Sequence, residues 1–191
     1  MDTTAPTTRR VVISQNITLD GSIEMLDDWF DPQESNEAEL EVLFEQSQRC
    51  EFLLLGRQTF EDFRGYWPEV EDDATGISSD LDEQEKLVVS STLTDPAWQR
   101  SRVLSSDWIE EVRRLTAEPG QDIVVTGSIR VCHALISAGL VVEYRLYVVP
   151  YVQGRGRRLF PDGTTIPDLD LVESQAFSNG HALLVYKAGI N

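Results

Sequence analysis

The chain has 191 residues, 41% of them hydrophobic, which suits one ordinary domain built on one sizeable core. Its 33 acidic against 16 basic residues give a formal net charge of −17, so its surface repels nucleic acid and anionic lipid at long range and neither is an expected partner. No run approaches the roughly 18 apolar residues of a membrane span, Met1 to Arg10 lacks an apolar signal core, and the two cysteines, Cys50 and Cys132, exclude a disulfide framework; the expectation is a cytoplasmic protein with reduced thiols.

In chain order, residues 1–8 read as a flexible tail and 9–191 as a single domain. Short apolar, β-branched runs at Val11 to Ile13, Phe52 to Leu55, Leu87 to Val89, Ile123 to Val125 and Tyr144 to Val149 have the character of strands buried on both faces. Between them, helical spacing marks Glu37 to Gln48, Arg57 to Phe63, Trp108 to Thr116 and Ile129 to Ala138, the last with Cys132, Leu135 and Ile136 on one face. Glu69 to Glu85 is acidic and aperiodic and reads as a surface loop or frayed helix. Leu171 to Tyr186 alternates about Asn179-Gly180, a hairpin signal, so the sheet should finish with an antiparallel strand. Strand and helix alternate throughout, which predicts a three-layer α/β/α sandwich around a mostly parallel sheet of about eight strands.

Familiar catalytic strings are absent: the chain has no GxxxxGK[ST], GxSxG, HExxH or CxxC. His133 and His181 lack ligand-like companions, and no metal is expected. Gly154-Arg155-Gly156-Arg157-Arg158 opens like a dinucleotide fingerprint, but Leu159 stands where its last glycine belongs. In Leu55-Gly56-Arg57-Gln58-Thr59-Phe60, by contrast, a buried strand ends in glycine and a helix starts with a cation and a hydroxyl. Phosphate binding needs those parts: close backbone approach, free helix-start amides and a bidentate donor. Val89-Ser90-Ser91-Thr92 and Val125-Thr126-Gly127-Ser128-Ile129 repeat the logic at two further strand ends, so three edges converge at the carboxyl side of the sheet.

These motifs, with Asn16-Ile17-Thr18-Leu19-Asp20-Gly21, Tyr66-Trp67-Pro68, Ala138-Gly139-Leu140 and Gly156-Arg157-Arg158-Leu159-Phe160-Pro161, resemble the dihydrofolate-reductase superfamily in family order from Arg9 to Lys187. The likeness is greatest to stand-alone proteins similar to the reductase domain of the bifunctional riboflavin-biosynthesis deaminase-reductase, whose zinc-deaminase signature is missing here. The resemblance implies a homodimeric NADPH-dependent reductase. Gly56, Arg57 and Thr59 would meet cofactor phosphates, Ser90, Ser91 and Thr92 the adenosine ribose side, and Thr126, Gly127, Ser128 and Ile129 the pyrophosphate. Asn16, Leu19, Gly21, Trp29 and Phe30 would meet a pterin- or pyrimidine-like substrate.

Asp20 and Glu34 are the implied proton donors for hydride transfer. Leu19-Asp20-Gly21 resembles the loop that closes over nicotinamide and substrate, the alternative being a plain Asp-Gly turn. Trp29-Phe30-Asp31-Pro32-Gln33-Glu34 has the W-x-x-P-x-acid spacing of dihydrofolate reductases, the alternative being that Glu34 caps the next helix. The other open readings are a dihydrofolate or ribosylaminopyrimidine reductase proper and a non-catalytic nucleotide- or flavin-binding protein. A dimer contact is expected on the Val/Tyr-rich run Leu140 to Tyr151.

Overall fold

The computed structural model describes residues 8–189. The tail expected over 1–8 lies outside the described residues except for Thr8, which bridges Pro119. The chain forms β1 (Val11–Thr18), α1 (Glu37–Ser47), β2 (Cys50–Gly56), α2 (Arg57–Tyr66), α3 (Ile77–Glu83), β3 (Glu85–Val89), β4 (Ser101–Leu104), α4 (Trp108–Thr116), β5 (Asp122–Val125), α5 (Ile129–Ser137), β6 (Val141–Val149), β7 (Leu169–Ala176) and β8 (Ala182–Ala188). One eight-stranded sheet runs in the order β4-β3-β2-β5-β1-β6-β8-β7. All neighbours pair parallel except β6–β8 and β7–β8, so β8 is the one antiparallel strand, set by the hairpin at Asn179-Gly180. The fold is the expected α/β class.

Period-two alternation sends neighbouring side chains of β2 to opposite faces. Phe52 and Leu54 join the core under α4 and α5, with Val112, Leu115, Val131, Cys132 and Leu135. Leu53 and Leu55 meet Phe60 of α2, Trp67 and Leu81 of α3 on the other face. Leu135 is fully buried, and its truncation to Ala would cost about 2–5 kcal/mol of transfer and cavity energy. Farther along that second face, Val42 and Leu43 of α1 cover Tyr147, Leu183 and Val185. The two helical layers therefore have separate cores, one continuous under α4 and α5 and one divided between α1 and the α2–α3 pair.

Two features complete the sequence reading and one corrects it. Of the readings offered for Glu69 to Glu85, the helix is the one that forms, as α3, because Leu81 has an apolar pocket to fill and buried Lys86 donates to the carbonyls of Leu81 and Gln84 at its end. A fourth-position edge strand, β4, went unpredicted; it is only four residues long. The run Leu140 to Tyr151 is not a spare apolar surface, since β6 lies inside the sheet between β1 and β8 and nearly every residue in it is buried.

At the amino end of the central strands, Arg10 pairs with Asp122 at 2.7 Å and Glu143 at 2.9 Å, and buried Arg145 pairs with the same two carboxylates at 3.0 and 2.8 Å. Two cations answer two anions, so this end is electrostatically closed and the opposite, carboxyl end is left for ligands.

Candidate active site

At the carboxyl edge, β2 runs into α2 and β5 runs through Thr126-Gly127-Ser128 into α5. Gly127 and Ser128 have φ of +58° and +49°, two successive left-handed residues that turn the chain sharply into the helix. The two helix starts are tied to each other. Ser128 Oγ accepts the Gly56 amide at 2.7 Å, and Thr59 Oγ1 accepts the Ser128 amide at 2.9 Å. Beneath them, the buried Gln15 side chain donates to Gly127 O at 2.6 Å. The earliest amides of each helix have no carbonyl four residues back to bond; in α5 the Val131 amide already turns to Ser128 O at 2.8 Å, and the positive ends of both dipoles point to the same edge. A Cβ on Gly127 would lie 2.6 Å from Thr59 Cγ2, so the cradle has no room for a side chain there.

The cradle opens on a cleft of about 1120 Å³ between α1 on one side and α2 and α3 on the other, roofed by residues 23–35. Its volume suits a cofactor end plus a small heterocycle. Trp29, Phe30, Phe44, Phe63, Tyr66 and Trp67 give it aromatic walls. Of the residues the sequence pointed to, Asn16, Trp29, Phe30, Glu34, Thr59, Thr126, Gly127, Ser128 and Ile129 all line it.

The others sit outside the wall. Gly56 stands behind it, its amide held by Ser128. Arg57 is exposed and pairs with Glu61 one helical turn on, at 2.9 Å. Ser90 Oγ accepts the amides of Thr92 at 3.1 Å and Leu93 at 2.9 Å, making Ser90, Ser91 and Thr92 a turn at the end of β3 beside Gly56.

Leu19, Asp20 and Gly21 form a clasped turn in place of a free closing loop. The Leu19 amide donates to Tyr151 O, the Leu159 amide donates to Gly21 O, and Asp20 accepts the Thr18 hydroxyl at 2.6 Å and the amides of Gln153 and Gly154 at 3.1 and 2.7 Å. The Thr18 hydroxyl and the Gly154 amide, with help from Gln153, hold the Asp20 carboxyl down at about 2. These bonds give Asp20 a structural part in the clasp, beside the proton-donor role that the resemblance implies for it.

Gln153 is the residue that sequence reasoning missed. Buried, it accepts Trp29 Nε1 at 3.0 Å and the Leu26 amide at 3.1 Å, and donates to Ser22 Oγ at 2.8 Å and Glu24 O at 2.9 Å. The roof of the cleft thus hangs from one amide side chain, supported by a bidentate Arg157–Glu24 pair. No local pattern marks Gln153; apart from Arg155 O two residues on, its partners lie 124 and more residues away. Gln15 carried a faint signal, one of two adjacent amides, Gln15 and Asn16, between the apolar run Val11 to Ile13 and Ile17.

The histidines take structural contacts: His133 Nε2 meets Arg158 O at 2.8 Å and His181 Nδ1 meets Glu39 at 3.0 Å. Among the described residues, no group of three or more His, Cys, Asp or Glu side chains is placed to hold a metal ion, and no helix is long and apolar enough to cross a membrane.

Among solved structures, a riboflavin biosynthesis protein from Shewanella sp. PV-4 superposes with a TM-score of 0.72 at 14% identity, over 95% of this chain and 99% of that one. A pyrimidine reductase-like protein from Corynebacterium diphtheriae gives 0.65 at 16% identity, over 96% and 93%. A dihydrofolate reductase from Enterococcus faecalis, complexed with NADP(H), gives 0.60 at 16% identity, over 96% and 99%. These establish a dihydrofolate-reductase-like fold. Among curated proteins, the uncharacterized YyaP of Bacillus subtilis is 30% identical over 184 residues, 93% of this chain and 94% of its own length. The RibD C-terminal domain model matches residues 9–183, and the chain belongs to the RibD C-terminal domain family.

Proposed function

We propose that the protein is an NADPH-dependent reductase that delivers hydride to a C=N or C=O carbon of a pterin- or pyrimidine-like heterocycle. The observation that carries this reading is the pair of helix starts, tied by Ser128 and Thr59, opening on a cleft with aromatic walls and a carboxyl, Glu34, on its rim. Bound NADPH would supply the hydride. The chain's own part is to hold phosphates on the first-turn amides of α2 and α5, to stack the heterocycle against Trp29 and Phe30, and to bring a proton from Glu34 or water beside it. The cradle suits a pyrophosphate, because Thr59, Gly127 and Ser128 line the cleft where the two helix starts are tied together.

Arg57 has the reach of a helix-start cation and would meet the 2′-phosphate by exchanging Glu61 for it, with Ser90, Ser91 and Thr92 as uncharged donors nearby. A cytoplasmic location fits two free cysteines whose thiols burial pushes up to about 12, too high for easy oxidation. The test is direct: NADPH binding by calorimetry, then loss of NADPH absorbance with a panel of dihydropterins and aminopyrimidines. Binding in the micromolar range with turnover of a panel member supports the reading. No NADPH binding up to millimolar concentration ends it.

A further inference from the structure

Outside the cofactor cradle, the charged side chains on the cleft wall are one-sided. Glu24, Asp28, Asp31 and Glu34 come from the roof, Glu39 from α1, and Asp62 and Asp80 from α2 and α3. On the wall a single cation, Arg157, stands against them, and Glu24 already holds it through Nε at 2.9 Å and the backbone amide at 2.9 Å; buried Glu39 is taken by His181 Nδ1 at 3.0 Å and Asn179 Nδ2 at 2.8 Å, so the other five carboxyls set the sign of the cleft. Neither lysine helps: Lys86 is buried against carbonyls of α3, and Lys187 belongs to β8. Arg155 is paired with Asp27. The remaining walls are aromatic faces, with Tyr66 and Trp67 packed edge to face at 5.0 Å and Trp29 fixed through its Nε1 so that its ring stays in place.

On the reading that the helix starts of α2 and α5 serve the cofactor phosphates, no anion-holding group is left for the substrate. We propose that the heterocycle taken by this cleft is neutral or cationic and carries no phosphate, which sets the enzyme apart from a reductase of phosphoribosyl-aminopyrimidines. Carboxylates around a low-dielectric pocket raise the local concentration of cations and repel a phosphate dianion. Aromatic faces reward a planar ring bearing positive charge, through stacking and the attraction of a cation to the ring quadrupole. The amino groups of a pterin or aminopyrimidine are hydrogen-bond donors, the partners that carboxylates accept.

The experiment uses matched probes that differ by phosphate alone: thiamine against thiamine pyrophosphate, and riboflavin against its 5′-phosphate. Each is titrated by calorimetry into the NADPH-saturated protein at about 10 mM and about 1 M salt, where the screening length falls from about 30 to about 3 Å. The expected result is that the unphosphorylated member of each pair binds about tenfold or more tightly at low salt, and that the gap closes at high salt. In an Asp28→Lys, Asp62→Lys double variant the gap should narrow or reverse; the salt titration stands by itself if that variant fails to fold. Equal or tighter binding of the phosphorylated members at low salt, or no binding by any of the four, overturns the proposal while leaving NADPH binding intact. Loss of NADPH binding would instead strike the reductase reading, and the same four titrations without cofactor would still read the charge preference.

Discussion

The amide of Ser128 donates to the hydroxyl of Thr59 at 2.9 Å, joining residues 69 positions apart and fixing the distance between two helix starts. The contact leaves Thr59 Cγ2 pressed toward Gly127, where no Cβ fits. Gly127→Ala should therefore cost about 1–2 kcal/mol for a left-handed alanine and about 1–3 kcal/mol more for overpacking, read by denaturant unfolding, besides weakening NADPH. Changing Thr59 to Ser as well removes the offending methyl, so the double variant should recover the overpacking part. A double variant no more stable than Gly127→Ala would show that the methyl is not the obstacle.

Arg57→Ala separates two roles. As a 2′-phosphate ligand, Arg57 contributes about 1.5–3 kcal/mol, and its loss should erase roughly a 10- to 150-fold preference for NADPH over NADH. As nothing more than the exposed partner of Glu61, it contributes about 0.2–0.5 kcal/mol to the helix and nothing to cofactor choice. Titrating both cofactors into both proteins distinguishes them, and equal losses for NADH and NADPH would remove the 2′-phosphate assignment.

Asp20 gives a pH signature with a definite sign. Its folded pKa lies at about 2, below the ordinary 3.8, so its contribution to stability is complete above the ordinary value and is lost as pH falls through the interval toward 2. Wild type should lose stability between about pH 4 and pH 2 more steeply than Asp20→Asn. If the clasp is its whole role, Asp20→Asn should keep most of the turnover rate, whereas Glu34→Gln should lower kcat. A large loss of kcat in a folded Asp20→Asn protein would place Asp20 in the chemistry.

Gln153→Leu keeps the volume and deletes both ends of the amide. Trp29 Nε1 and the Leu26 amide lose their acceptor, and leaving buried donors unpaired costs about 1–3 kcal/mol each. The melting temperature should fall and tryptophan emission should shift to the red as Trp29, now only 8% exposed, meets water. KM for the heterocycle should rise more than kcat falls, since the roof positions substrate; unchanged emission and KM would refute the hanging-roof account.

A homodimer remains the expected assembly, although not through β6. The outer strand β7 exposes Leu171 and Val172 beside a register shift and has β8 as its only neighbour in the sheet. Light scattering should give twice the 21.5 kDa chain mass at micromolar concentration, and Val172→Lys should lower it. A monomer mass for the unaltered protein would exclude the dimer.

What could be read from the sequence alone was whatever depends on neighbours along the chain. The apolar runs of β1, β2, β3, β5 and β6 and the 3.6-residue spacing of α1, α2, α4 and α5 announce themselves because burial of a face imposes a period, and a glycine after a buried strand announces a helix start at a sheet edge. The short edge strand β4 was hidden and the helix α3 was left between loop and helix, because each is held by distant packing, α3 by the pocket for Leu81 and by Lys86 at its end. The site divides the same way. Thr59, Gly127 and Ser128 were legible because their motifs are local, but whether a carboxyl can give up a proton depends on which donors surround it. Asp20 is held by the Thr18 hydroxyl two residues away and by amides 133 and 134 residues away, and Gln153 supports a roof from the far end of the chain. Hydrogen bonds across such separations leave no period in a sequence, so only the folded chain decides them.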